Sequence, residues 1–343
     1  MRQSFSIAGR DIKPGESAYI EMPTVALYTD TEMSMPVYVK HGKKDGPVLF
    51  VSAAIHGDEL NGTEIISRLI QGKQLRGMKG TLIAVPIVNV YGVISQSRYL
   101  PDRRDLNRSF PGSTKGSLAG RIANQFLKEI VSKSDYGIDL HTGAIHRSNL
   151  PQIRANLDDE RTNELAKAFG VPVVLNADIR DGSLRESAGE LGVPVLLYEA
   201  GEALRFDELS IRAGVRGIVN VMRSLDMLTK RRSKLKYEPF IARQSGWVRS
   251  TDSGFIRYKR TLGELVEKGD ALADIQDPFG RVLDTITSHA KGIIIGKQNI
   301  PLAQEGEALF HIAYFSKPNE VAENLELMND NLVSESEVLL NEP

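Results

Sequence analysis

An α/β domain with a mostly parallel or mixed sheet, joined to a smaller all-β module at the C-terminal side, is the fold this sequence predicts. Apolar runs at 47–55, 80–88 and 193–198 have the composition of strands buried on both faces. Segments with a single apolar stripe alternate with them, as an α/β arrangement requires. From about residue 237 the texture changes to short strands between closely spaced glycines, from Gly246 to Gly306.

The chain has 343 residues, enough for two domains with separate cores. Its net charge of −1 gives no basic excess for nucleic acid, and no acidic block stands out within the domains. With no cysteine, disulfides, thiolate metal sites and cysteine nucleophiles are excluded, so any zinc must be held by nitrogen and oxygen. The N-terminal residues lack an apolar signal core, and no apolar run reaches the ~18 residues of a membrane span. The expected location is therefore cytoplasmic, with no membrane partner.

Residues 1–45 mix alternating stretches at 18–22 and 35–39 with glycine and proline, and read as a β-rich lead-in. A domain over 46–229 follows. Its first buried strand, 47–55, ends at His56 and leads to a helix around 64–70 with one apolar face. The strand at 80–88 precedes a polar loop, 96–116, too long to be a mere connection. A helix over about 117–132 leads into a strand at 136–141. A helix near 158–169, strands at 172–175 and 193–198, and an amphipathic helix over 207–228 complete the domain. The charged stretch 230–236 reads as a linker, 237–315 as the β module, and 316–343 as an acidic tail, frayed or disordered.

In open α/β sheets ligands gather at the carboxyl ends of strands. His56, His141 and Glu199 each stand at the end of an apolar strand. His56 and Glu59, three apart between a strand and a helix, are spaced to converge on one ion, and Gly57 would let the chain bend sharply between them. His141 supplies a third ligand from a neighbouring strand. Two imidazoles and a carboxylate form the ligand set of a catalytic zinc that keeps one position open for water. Asp139, two residues before His141, projects to the same side of the sheet and is expected to fix the tautomer of a ligand histidine. His41, His146, His289 and His311 lack such a setting and read as surface or core residues. His146, sharing the His141 loop, is the nearest to an exception.

The loop at 96–116 holds Arg98, Arg103, Arg104 and the run Asp105-Leu106-Asn107-Arg108. Arg103 and Arg104 read as solvated surface. Asn107 and Arg108, with apolar Leu106 and Phe110 as anchors, offer donors suited to a substrate carboxylate. Glu199, emerging from an apolar run before Ala200-Gly201, is expected to have its pKa raised by desolvation, which suits a general base. Glu202 is its nearby competitor.

Together, His56-x-x-Glu59, Asp105-Leu-Asn107-Arg108, Asp139-Leu-His141 and Glu199-Ala-Gly resemble, in order, the motifs of the succinylglutamate desuccinylase/aspartoacylase family, relatives of the zinc carboxypeptidases. The resemblance covers about 45–315. It implies a zinc carboxypeptidase-like mixed sheet flanked by helices, one zinc, and hydrolysis of the amide bond of a small N-acyl amino acid, of N-acetyl or N-succinyl type. Carried over by position, it makes His56, Glu59 and His141 the zinc ligands and Glu199 the general base. Asn107 and Arg108 become the carboxylate-binding pair, and Arg98 the residue that polarises the scissile carbonyl. Arg154 is a further substrate contact that the motifs do not fix.

The module at 237–315, with Gly263-Glu-Leu-Val-Glu-Lys-Gly269 and Gly306-Glu-Ala-Leu-Phe-His-Ile312, resembles biotinyl/lipoyl-like barrel-sandwich domains. Its central hairpin at 276–281 has no lysine at the tip, which argues against a swinging-arm cofactor. Two other readings compete: a zinc carboxypeptidase acting on the C-terminus of short peptides, and a metal-free protein using the arginine loop as an anion site. A homo-oligomer is compatible with the sequence.

Overall fold

The parallel strands lie at the centre of one large sheet, with antiparallel strands on both sides. The computed structural model describes residues 2–177, 180–230 and 239–315, so the expected linker beyond Lys230 and the tail at 316–343 lie outside the described residues. The chain begins with a hairpin, β1 (Phe5–Ile7) and β2 (Arg10–Ile12), followed by β3 (Ser17–Pro23), β4 (Ser34–His41) and β5 (Val48–Ala53). Next come α1 (Asn61–Gln71), β6 (Thr81–Val85), α2 (Val90–Ser95) and α3 (Leu118–Glu129). Then follow β7 (Tyr136–Gly143), β8 (Arg147–Ala155), α4 (Glu160–Phe169), β9 (Val173–Asn176), α5 (Leu184–Glu190), β10 (Val195–Glu202) and α6 (Glu208–Ser224). The C-terminal strands are β11 (Phe240–Ala242), β12 (Gln244–Arg249), β13 (Gly254–Tyr258), β14 (Leu265–Val266) and β15 (Ala271–Gln276). They end with β16 (Val282–Thr287), β17 (Gly292–Gln298), β18 (Leu302–Ala303) and β19 (Ala308–Tyr314).

The main sheet runs β3-β4-β6-β5-β7-β10-β8-β17-β19-β12. Strands β6, β5, β7 and β10 are mutually parallel, while β4 and β8 pair antiparallel with their inner neighbours. Because side chains alternate along a strand, Leu49, Val51 and Ala53 face one core and Phe50 the other. Helices α1, α4 and α6 cover the first face with Ile66, Leu69, Phe169, Ile218 and Met222. Helices α3 and α5 cover the second with Ile122, Phe126, Leu184 and Ala188. Burial of each large apolar side chain contributes roughly 1.5–3 kcal/mol. The expected helix starts Ser117 and Asp207 prove to be caps, and Asp159, one residue past the expected start at 158, is another: each accepts a backbone N–H of the first turn, worth about 1 kcal/mol apiece.

Several features depart from the sequence reading, which also has no counterpart for α2 and α5. Strand β8 has no expected counterpart, since Pro151 argues against a central strand. Its neighbours pair as Glu199 with Gln152 and Gly201 with Asn149, so Pro151 sits at a register irregularity where a missing N–H leaves no gap in the ladder. The C-terminal strands also extend the main sheet: β17 pairs with β8, and β11 with β9. A second sheet, β16-β15-β13-β18, shares a core with them through Val248, Leu272, Ile275 and Phe310. The expected hairpin at 276–281 joins β15 to β16. Strands β3 and β4, read as a lead-in, form one edge of the main sheet.

Candidate metal centre

Beyond the end of β5 the backbone turns at Ala54, which takes a left-handed φ of 51°. Its carbonyl accepts the Asn89 N–H at 2.9 Å, which holds this turn against the start of α2. Gly57 does not take a left-handed φ. A Cβ there would lie 1.9 Å from the carbonyl carbon of Gly92, so glycine serves close approach to α2 and not the sharp bend expected. A turn closed by Glu59 N–H to His56 O, 3.1 Å, then brings both side chains to one side.

His56, Glu59 and His141 present one ligand atom each within 4.8 Å of one another. His56 Nδ1 lies 2.7 Å from Glu59 Oε1, and His141 Nδ1 lies 2.7 Å from Glu59 Oε2. Each ring turns its other nitrogen to a carboxylate: His56 Nε2 to Asp105 Oδ1 at 3.2 Å, and His141 Nε2 to Asp139 Oδ2 at 2.7 Å. All three side chains are buried. Burial opposes charge on both rings, but the Glu59 carboxylate raises His56 above its ordinary value, and Asp139 with Glu59 raises His141 well above it. Burial likewise opposes charge on Glu59, yet the two imidazoles hold its carboxyl below the usual range.

This donor set fits zinc. Two Nδ1 atoms and a carboxylate converge from two strand ends, and each distal ring nitrogen is oriented by an acid, the arrangement that fixes the tautomer of ligand histidines. Asp139 thus lies against His141, on the face of the sheet that strand alternation predicted. Asp105 takes the same part for His56, a role not drawn from the sequence.

Arg98 donates from Nε and Nη2 to Asp105 Oδ2, at 3.1 and 2.9 Å, and turns Nη1 toward His56 Nδ1 and Glu59 Oε1, at 3.2 and 3.4 Å. It therefore stands beside the ligand atoms. Asn107 is buried, its Oδ1 accepting the Leu184 N–H at 2.9 Å at the start of α5. Arg108 lines the same cavity, and burial lowers its pKa with Arg180 and Arg98 nearby. Arg103 and Arg104 are exposed, and Leu106 and Phe110 buried, as expected.

Glu199 pairs in register with His141 on the adjacent strand. Although it follows an apolar run, its side chain has polar partners. Asn149 Nδ2 donates to Oε1 at 2.7 Å, and Arg154 Nε lies 2.7 Å from Oε2. Glu202 turns away, accepting from the His146 N–H and Asn299 Nδ2. His41 bonds Thr81 and the Gln3 carbonyl, while His146 and His289 are exposed.

His56, Glu59, His141, Arg98, Asn107, Arg108 and Glu199 all line one cavity of about 540 Å³. Six guanidinium groups border it (Arg98, Arg108, Arg147, Arg154, Arg180 and Arg185) against the carboxylates Glu59, Asp139 and Glu199. The C-terminal strands contribute Ser245, Trp247 and His311 to its wall. His311, read as an ordinary surface or core histidine, is thus a buried residue of the cavity, stacked on Trp247 with ring centroids 4.5 Å apart. Sequence reasoning also missed Asn149 and Trp247, whose places depend on pairing between distant strands.

Comparison with known proteins follows the same lines. Residues 45–225 match the model of the succinylglutamate desuccinylase/aspartoacylase catalytic domain. The chain is 30% identical over 254 residues to an N-alpha-acetyl-L-2,4-diaminobutyric acid deacetylase of Halomonas elongata, covering 70% of this chain and 72% of that one. Its fold is similar to a product-bound ectoine utilization protein of Ruegeria pomeroyi, with TM-score 0.80, 22% identity, and coverage of 92% of this chain and 100% of the other. A succinylglutamate desuccinylase/aspartoacylase from Rhodobacter sphaeroides gives TM-score 0.77 at 23% identity, with coverage of 88% and 97%.

Proposed function

The chain belongs to the succinylglutamate desuccinylase/aspartoacylase family, and from that premise we propose that it is a zinc-dependent hydrolase of the amide bond in a small N-acyl amino acid. The observation that carries this reading is the convergence of His56 Nδ1, His141 Nδ1 and Glu59 in the wall of a guanidinium-rich cavity. Zinc bound there would act as a Lewis acid and lower the pKa of a water molecule toward neutrality.

The protein's own groups take the remaining parts. Glu199, beside His141, accepts a proton from the attacking water and returns it to the leaving nitrogen. Arg98, through Nη1, faces the ligand atoms and donates to the oxyanion that develops on the scissile carbonyl. Asn107, its Oδ1 taken by Leu184, offers Nδ2 to a substrate carboxylate together with the Arg108 guanidinium. The excess of six guanidinium groups over three carboxylates supports a substrate with more than one negative charge. A wall built from Ser245, Trp247 and His311 supports a small molecule over the C-terminus of a peptide.

The test is an assay of zinc-loaded protein against N-acetyl and N-succinyl amino acids beside short peptides, with a chelated control. Release of free amino acid from the acyl substrates, lost on chelation, is the expected result. Activity confined to peptides would transfer the proposal to a carboxypeptidase.

A further inference from the structure

Arg154 is the residue of this cavity whose place the motifs left open, and its geometry gives it two faces. Its Nε lies 2.7 Å from Glu199 Oε2, but this nitrogen makes no hydrogen bond of acceptable geometry, so the contact is an ion pair through one edge. Nη1 and Nη2 make no hydrogen bond among the described residues, and the residue lines the cavity. A guanidinium presents paired N–H groups in a rigid fork that matches a carboxylate. One edge is thus engaged with Glu199, and the rest of the guanidinium makes no hydrogen bond to the protein at the cavity wall.

Its location separates it from the other arginine pair. Asn107 and Arg108 belong to the loop that reaches His56 through Asp105 at the end of β5. Arg154 lies on β8, two strands beyond the His141 strand, opposite Leu197 of β10. Neighbouring strands are roughly 4.8 Å apart, so about 10 Å of backbone separates β7 from β8. Arg154 and the Asn107/Arg108 pair therefore border the cavity from different elements, a strand and a loop.

We infer that Arg154 is a specificity-determining residue that binds a second substrate carboxylate, apart from the one taken by Asn107 and Arg108, and is at the same time a positioning residue for Glu199. This rests on the proposed deacylase reading and deepens it. A substrate with both carboxylates is then held at two points of the cavity wall. The same guanidinium that receives the second one fixes the carboxylate of Glu199 beside it. Asn149 holds the other oxygen of Glu199 at 2.7 Å, so loss of Arg154 leaves that side chain tethered on one side only.

The test compares the zinc-loaded full chain with Arg154→Met and Arg154→Lys on three substrates. N-acetyl-L-alanine carries one carboxylate. N-acetyl-L-glutamate and N-succinyl-L-alanine carry two, with the second on either side of the amide. Arg154→Met is expected to lower kcat on all three, and to raise KM roughly tenfold or more on a two-carboxylate substrate relative to N-acetyl-L-alanine. Lysine, which keeps the charge without the fork, is expected to recover part of that KM. Equal losses on all three substrates would leave Arg154 with the positioning role alone and overturn the inference, as would no loss at all. Glutarate binding, measured by calorimetry, needs no turnover and keeps the two readings apart. Binding weakened about tenfold in Arg154→Met supports the anion site even in a protein that cleaves none of the substrates. Unchanged glutarate affinity overturns it.

Discussion

Ser52 donates a 2.8 Å hydrogen bond to Asp139 Oδ1, and the two residues are register partners on adjacent parallel strands. The other oxygen of Asp139 holds His141 Nε2 at 2.7 Å. The orientation of one candidate ligand is thus set by sheet register two residues upstream. Supporting carboxylates of this kind typically contribute a factor of about 10–100 in metal affinity. Asp139→Asn is therefore expected to weaken zinc binding by that factor, and Ser52→Ala by less. Competition with a chelating dye measures both.

Glu199 is not one of the three converging ligand atoms, yet it stands beside His141. Glu199→Gln keeps a group able to accept from Asn149 Nδ2 and removes the proton acceptor. The expected result is full zinc content, by elemental analysis, with kcat reduced by about 10²–10⁴. Near-normal turnover in that variant would remove Glu199 from the base role.

Gly57→Ala tests how tightly the ligand turn is built. The added Cβ would lie within 1.9 Å of the Gly92 carbonyl carbon, and backbone on both sides must move to admit it. Such overpacking costs about 1–3 kcal/mol, and the displaced turn carries both His56 and Glu59. Lower unfolding midpoints in urea together with reduced zinc content are expected. Loss of stability with unchanged zinc content would show that the turn adapts.

The parts of the centre legible in the sequence are those that local periodicity dictates. Asp139 and His141 share a face because strand side chains alternate, and His56 with Glu59 follows a buried strand whose end the apolar run marks. What the sequence hid depends on pairing between distant segments. Pro151 disguised β8, and with it the placement of Asn149 and Arg154 against Glu199. His311 and Trp247 reach the cavity only because β17 joins β8, with Gly296 opposite both Asn149 and His311. A Cβ on Gly296 would come within 2.9 Å of Asn149 Oδ1 and 3.0 Å of His311 Cβ, so this glycine lets the two halves of the sheet meet at the cavity wall. The partners of Glu199 were hidden for the same reason: its strand is apolar, but Asn149 and Arg154 come from β8.

His311 gives the pH dependence a definite sign. Its imidazole lies against Trp247, whose other contact is the Arg147 guanidinium, 5.0 Å from the ring centroid, and its Nε2 is 2.9 Å from Ser245 Oγ. Burial, with Arg154 as the charged neighbour, pushes its pKa down from 6.5 to about 3. The folded protein therefore keeps this ring neutral where the unfolded chain takes up a proton. Above pH 6.5 neither state is protonated there and the residue adds no pH dependence. As pH falls from 6.5 toward 3, the unfolded state binds the extra proton and stability declines, by roughly 1.4 kcal/mol per pH unit at the limit. His311→Phe keeps a ring against Trp247 and removes the titration. At pH 8 the variant is expected to be less stable by about 1 kcal/mol, for the lost bond to Ser245. Its urea midpoint is expected to fall less steeply than that of the parent between pH 6.5 and 4.5. Carboxylates common to both proteins cancel in this difference, so parallel slopes would show that His311 is protonated in the folded state.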